Sequence, residues 1–383
     1  MTSTATPPAT AANAASLAAG ALDRIRPDVR AMHSYAVQPS AGMLKMDAME
    51  NPFRLPDALQ KALGERLGAL ALNRYPGDRI ADLKAALAAY AGMPVGHAMV
   101  LGNGSDELIT LLALACAQPS AGQRATMLAP MPGFVMYPLS AQLQGLDFVG
   151  VPLTADFELD EPAMLAAIAR HRPAITYIAY PNNPTATLWD EGAVQRIIDA
   201  VGAQGGLVVM DEAYQPFASR TWIDRMRAEP ARNAHVLLMR TLSKFGLAGV
   251  RLGYLIAPAA LAAEIDKVRP PYNVSVLNCE AALFALEHAD VFAAQAAELR
   301  QERTALLAAL RALPGIEKAW DSEANMVLLR VADAARTFEG MKARKVLVKN
   351  VSTMHPLLAN CLRLTVGNAA DNAQMLAALQ ASL

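Results

Sequence analysis

Lys244 sits in the segment Arg240-Thr241-Leu242-Ser243-Lys244-Phe245-Gly246-Leu247-Ala248-Gly249-Val250-Arg251, just past the apolar run His235 to Met239. An amine carried on the end of a buried strand is desolvated, which lowers its pKa and frees it to attack a carbonyl carbon. Lysines more often solvate a surface, so Lys244 gains meaning only from its companions. One is Asp211-Glu212-Ala213-Tyr214, which follows the hydrophobic run Gly206 to Met210. A carboxylate at the end of a strand buried on both faces needs a partner, although Asp211 would serve equally as a helix cap. Another is Tyr180-Pro181-Asn182-Asn183-Pro184-Thr185, a rigid turn that aims the Asn183 amide into a cleft and is also an ordinary turn signal. The last is Gly102-Asn103-Gly104-Ser105-Asp106-Glu107, ahead of an apolar run from Leu108. There Ser105 is expected to cap a helix, and Gly104 lets backbone N–H groups approach a phosphate. Helix capping alone would explain this segment. Glu107, standing where a third glycine would be, counts against a dinucleotide fingerprint.

The elements that must position these groups follow from pattern. Short apolar or β-branched runs alternate with longer helical stretches, the mark of an α/β sheet. Ala125 to Leu128, Ala174 to Ala179, Gly206 to Met210, His235 to Met239 and Gly253 to Ile256 read as buried strands. Chemistry in such a sheet gathers where the strands end. Beyond Pro270 and Pro271 a long helical pattern, Asn278 to Leu313, precedes strand-like pieces at Met326 to Leu329 and Cys361 to Val366, and these are placed in a second, smaller domain. Residues 1–30, rich in Ala, Thr, Ser and Pro at the start and without a positively charged leader, read as a disordered tail.

Together the four segments meet the needs of pyridoxal 5'-phosphate: a lysine, an acid for the ring nitrogen, donors to the phenolate oxygen and a phosphate cradle. Their order resembles that of the fold-type I aminotransferases, and from about Tyr35 to the C-terminus the chain resembles the histidinol-phosphate aminotransferase family. The resemblance is carried by Glu50-Asn51-Pro52, Arg74-Tyr75-Pro76, Pro181-Asn182-Asn183-Pro184-Thr185, Asp211-Glu212-Ala213-Tyr214, Thr241-Leu242-Ser243-Lys244 and Cys361-Leu362-Arg363-Leu364-Thr365-Val366-Gly367.

The resemblance implies a large cofactor domain, residues 51–270, with a mostly parallel seven-stranded sheet flanked by helices. It also implies a smaller α+β domain made of residues 31–50 and 271–383. It assigns Lys244 the Schiff base with the cofactor, Asp211 the pyridine nitrogen, and Asn183 and Tyr214 the phenolate oxygen. Phe134, in Pro132-Gly133-Phe134-Val135-Met136-Tyr137, matches the aromatic stacked on the ring, while a core phenylalanine is an equal reading of that residue alone. Gly104, Ser105, Asp106, Ser243 and Arg251 would hold the phosphate. Tyr75 would reach the cofactor phosphate of a neighbouring subunit, which implies a homodimer with shared active sites. Arg363 would anchor both glutamate and histidinol phosphate, since a guanidinium fork suits carboxylate and phosphate alike. Tyr35, Asn51, Asn183 and Lys349 complete the implied substrate contacts. The expected reaction moves an amino group between L-histidinol phosphate and 2-oxoglutarate, giving imidazole acetol phosphate and glutamate.

The chain departs from the family pattern at Ala186 and Arg54, where glycine is usual, and at Met49, where asparagine is frequent. Lys349 stands where some relatives carry arginine, so an anion there would meet a point charge and not a fork. Alternatives on the same cofactor are an aromatic amino acid aminotransferase and a decarboxylase of an amino-alcohol phosphate. A ligand-sensing protein on the same fold would need an added DNA-binding domain, for which the roughly thirty residues before Tyr35 leave no room.

Composition narrows the partners. The chain has 383 residues, 54% hydrophobic and 18% charged, enough to bury a large core. Lys+Arg 34 against Asp+Glu 35 gives a formal charge of −1, with no basic excess to suit nucleic acid. The apolar run Leu108 to Ala117 is shorter than the roughly 18 to 20 residues of a membrane helix, so a cytoplasmic enzyme with small-molecule substrates is expected. Three separated cysteines, Cys116, Cys279 and Cys361, fit a reducing compartment. Histidines 33, 97, 171, 235, 288 and 355 lack ligand spacing, so no metal is expected.

Overall fold

The computed structural model describes residues 20–32, 38–119 and 122–383. It forms two compact units, residues 1–41 and 42–383. In the first, Pro27–Arg30 makes one helical turn inside the segment read as a tail; Pro27 stands at the first helical position and Arg26 bonds Asp28.

Among the described residues of the second unit the chain forms thirteen strands. Seven of them, β2 (His97–Gly102), β3 (Thr126–Met131), β4 (Asp147–Pro152), β5 (Ile175–Ala179), β6 (Leu207–Asp211), β7 (Val236–Thr241) and β8 (Gly253–Pro258), make one sheet in the order β2-β8-β7-β6-β5-β3-β4. All neighbours are parallel except those of β8, which runs antiparallel to both β2 and β7. The apolar runs that mark the central strands arise because both faces are covered. Val236 and Leu238 of β7 enter one core cluster, and Leu237 and Met239 enter the other. The same alternation sends Val208 and Met210 of β6 to one side and Val209 to the other.

The five strands read from the sequence are all present in the sheet. The two it did not show, β2 and β4, lie at the edges, where β4 leaves Asp147, Gly150 and Pro152 exposed and so carries no continuous apolar run.

A second sheet follows from the C-terminal strands β9 (Ile316–Ala319), β10 (Met326–Val331), β12 (Lys349–Asn350) and β13 (Cys361–Thr365), antiparallel in the order β12-β13-β10-β9. The short strand β1 (Leu44–Lys45) pairs in parallel with β11 (Val346–Leu347). Helices Ala289–Ala312, Ala334–Ala343 and Ala369–Gln380 pack on this part, and its core holds Leu306, Leu310, Val327, Leu329, Leu362 and Leu364. The pattern read as one helix from Asn278 to Leu313 is two helices, Val276–Glu287 and Ala289–Ala312, broken at His288. The apolar periodicity runs through the break, so it gives no signal there. No helix among the described residues is long and apolar enough to cross a membrane.

Candidate active site

The parallel register brings the C-terminal ends of β5, β6 and β7 level. Ala179 lies opposite Asp211, and Asp211 opposite Met239. A cavity of about 360 Å³ opens at that edge, lined among others by Ser105, Asp106, Phe134, Asn183, Asp211, Tyr214, Ser243, Lys244 and Arg251. Residues from six separate segments, 48–50, 105–106, 134–137, 179–183, 211–214 and 241–251, thus face one space.

After β7 the chain turns through Ser243–Leu247 and Ala248–Val250, and the Lys244 amine enters the cavity and donates to the Ala48 carbonyl at 2.8 Å. Burial, then the nearby Arg363 charge, pulls its pKa down from 10.5 to about 7. A large fraction of this amine is therefore neutral and nucleophilic at neutral pH.

Strand alternation splits the acid pair that ends β6. Glu212 turns away from the cavity into a buried ion pair with Arg240, Nη2 to Oε2 2.8 Å, and also accepts from the Thr221 hydroxyl and the Trp222 N–H. Asp211 turns inward. Its Oδ2 accepts from the Tyr137 hydroxyl at 2.7 Å and its Oδ1 from the Ala213 N–H at 3.1 Å. Burial raises the Asp211 pKa from 3.8 to about 6, while those two bonds oppose the rise. A cation placed beside it would restore the ionised carboxylate. Burial also pushes the Tyr214 hydroxyl up, leaving it a donor at neutral pH.

The helix Ser105–Ala115 points its N-terminus at the cavity. Its cap is Gly104 and not Ser105 as expected from the sequence, because Ser105 already has helical geometry and the cap needs φ 82°. A Cβ on Gly104 would also stand 2.6 Å from the Arg251 guanidinium, and one on Gly253 would stand 2.8 Å from the Ser105 nitrogen. Both glycines keep this corner open. The Ser105 hydroxyl is then free to line the cavity beside Ser243, with Arg251 held 3.2 Å from Asp106.

These residues fit pyridoxal 5'-phosphate: a near-neutral amine, an ionisable acid on the adjacent strand, and a phosphate-sized corner of helix N–H groups, hydroxyls and a guanidinium. Arg363, buried on β13, does not line the cavity itself. It donates to Asn183 Oδ1 at 2.6 Å and to the Asp47 carbonyl at 2.9 Å, which leaves the Asn183 NH2 as the end free to donate.

Other expected residues lie elsewhere. Asn51 donates to Gln295 Oε1 at 2.9 Å and accepts from the Phe53 N–H, so its amide is used outside the cavity. Lys349 sits opposite Arg363 in the β12–β13 register, away from the cavity lining. Tyr75 is 72% exposed and stacks on Tyr272 with ring centroids 4.0 Å apart. Tyr35 lies outside the described residues. The sequence reading missed Tyr137, Thr241 and Ala48. Of these Tyr137 had a usable signal, since it follows Phe134 by three residues at a helix start and so shares its face.

The sequence model of the family described as "Aminotransferase class I and II" matches residues 41–381. A histidinol-phosphate aminotransferase of Paracidovorax citrulli is 85% identical over 95% of this chain and 99% of its own. One of Polaromonas naphthalenivorans is 68% identical over 94% and 96%. Among solved structures, the histidinol-phosphate aminotransferase of Clostridium acetobutylicum superposes with a TM-score of 0.79 at 20% identity, over 88% of this chain and 98% of that one. That of Sinorhizobium meliloti, solved in complex with pyridoxal-5'-phosphate, gives 0.75 at 24% identity, over 93% and 96%. The structural likenesses establish the fold, and the sequence identities place the chain more finely. The chain belongs to the class I and II aminotransferases, and within them to the histidinol-phosphate aminotransferases.

Proposed function

We propose that this chain is a pyridoxal-phosphate-dependent transaminase that moves an amino group reversibly between L-histidinol phosphate and 2-oxoglutarate, giving imidazole acetol phosphate and glutamate, a step of histidine biosynthesis. One observation carries the reading: the Lys244 amine and the Asp211 carboxylate face a single cavity from the ends of neighbouring strands.

When bound, the cofactor supplies a carbonyl that takes up amines and a ring that withdraws electrons from the substrate's α-carbon. The protein supplies the rest. Lys244 Nζ, near neutral at working pH, would hold the cofactor through its carbonyl carbon, and as a free amine it would take the proton from the substrate's α-carbon and deliver it to the carbon on the other side of the substrate nitrogen. Asp211 would set a negative charge beside the ring nitrogen, the Asn183 NH2 and the Tyr214 hydroxyl would donate to the phenolate oxygen, and Phe134 would cover a ring face. Gly104, Ser105, Asp106, Ser243 and Arg251 would hold the phosphate. Arg363, already bonded to Asn183, grips the carboxylate of glutamate or the phosphate of histidinol phosphate, with Tyr35, Asn51 and Lys349 as outer substrate contacts.

The same reading makes the chain a cytoplasmic homodimer in which the exposed Tyr75 reaches the cofactor phosphate of the second copy. It also divides the chain into a large domain, residues 51–270, and a small one, residues 31–50 with 271–383. The pairing of β1 with β11 supports that division.

Half-reaction spectroscopy tests the substrate. The cofactor band at long wavelength should disappear on adding histidinol phosphate or glutamate and persist with phenylalanine. Bleaching by phenylalanine alone would reverse the assignment to an aromatic donor.

A further inference from the structure

The geometry points to Tyr137 as a positioning residue that fixes the Asp211 carboxylate against the ring nitrogen of the cofactor. The inference rests on the proposed role of Asp211. Tyr137 is 1% exposed, and its hydroxyl donates to Asp211 Oδ2 at 2.7 Å. Its ring has no freedom to swing away: it stacks on Tyr177 at 4.4 Å and 20°, and meets Phe134 edge-on at 5.7 Å and 87°. Phe134 and Tyr137 share a face of the turn that leads into helix Met136–Gln144, so one short segment covers the cavity and orients its acid.

A carboxylate can rotate about its last bond, and each added bond removes some of that freedom. In Asp211 the Ala213 N–H holds Oδ1, and the Tyr137 hydroxyl is the side-chain donor on Oδ2. The other charged or titratable groups coupled to this carboxylate are Asp106 and Glu212, both of which disfavour its ionisation, and Tyr214 and Tyr177, whose own hydroxyls feel the Asp211 charge. Tyr137 therefore acts against its surroundings, stabilising the charged form where burial and the nearby acids favour the neutral one. A hydrogen bond to a charged group in a dry site is among the stronger ones, so its loss should reach the cofactor.

The test is Tyr137→Phe in the holoenzyme, which keeps the stacked ring and deletes only the donor. With the carboxylate less stabilised, the ring nitrogen is less fully protonated and draws fewer electrons from the Lys244 linkage. The pH at which the bound cofactor changes colour should therefore rise by about half a unit or more, and kcat should fall about tenfold with KM little changed, the loss expected of one such bond. Tyr177→Phe serves as the control. It removes the adjacent buried hydroxyl, which has no hydrogen-bond partner among the described residues, and should leave the spectral transition in place. A Tyr137→Phe enzyme with lowered melting temperature but unaltered spectral transition and kcat would reduce Tyr137 to a packing residue and overturn the proposal. Asp211→Asn in the same titration separates the two levels. If it shifts the spectrum and Tyr137→Phe does not, only the role of Tyr137 fails; if neither does, the role of Asp211 fails as well.

Discussion

Replacing Asp211 with asparagine should make the cofactor-free protein more stable while nearly abolishing its turnover. Asp211 is buried, and its pKa is raised from 3.8 to about 6, so folding disfavours its ionised form. The sign follows from linkage: the neutral group contributes its full share below pH 3.8, and that contribution is lost as pH rises through about 6. At about 1.4 kcal/mol per pH unit of displacement, the ionised carboxylate costs the empty protein about 3 kcal/mol above pH 7 and about half of that near pH 5. Asparagine removes the charge and retains the shape. Its carbonyl oxygen can still accept from the Ala213 N–H while its NH2 donates to the Tyr137 hydroxyl, although both bonds lose the strength that the charge lends them. That loss of about 1 kcal/mol leaves a net gain of about 2 kcal/mol at pH 7.5, shrinking toward zero near pH 5. Urea unfolding of both cofactor-free proteins at fixed concentration, at pH 5 and pH 7.5, measures it. A variant no more stable than the parent at pH 7.5, or a difference that does not change with pH, would refute the claim that Asp211 is held as a destabilised charge awaiting a cation.

Two further outcomes follow from the same site. Borohydride treatment of the yellow holoenzyme should fix the cofactor to Lys244, read by peptide mass; label on another lysine would remove the buried amine from its proposed role. Arg363→Lys should raise KM for glutamate and for histidinol phosphate together, by roughly tenfold or more, because a point charge replaces a fork that already spans Asn183 and Asp47; steady-state kinetics with both donors checks this.

The sequence made legible what burial on two faces imposes. β5, β6 and β7 announce themselves as unbroken apolar runs because each is covered on both sides, and the polar groups that follow them had to lie at one edge of a parallel sheet. That is why Lys244, Asp211 and Asn183 could be placed together before any coordinates. What stayed hidden depends on partners that no local pattern names. β4 is an edge strand with half its residues in solvent, and the break at His288 lies inside a continuous apolar period. The Asn51 amide is spent on Gln295, 244 positions away, a choice made by packing between the helix Ala289–Ala312 and the loop before residue 57. Tyr137 carried a spacing signal in standing three residues after Phe134, but nothing local separates it from a core aromatic, and by burial it is one. Its hydroxyl differs from that of Tyr177 only in having a carboxylate within reach, and that carboxylate arrives from a strand 74 residues later. A catalytic side chain can thus be read from its own segment, whereas the group that aims it is defined by the crossing of two.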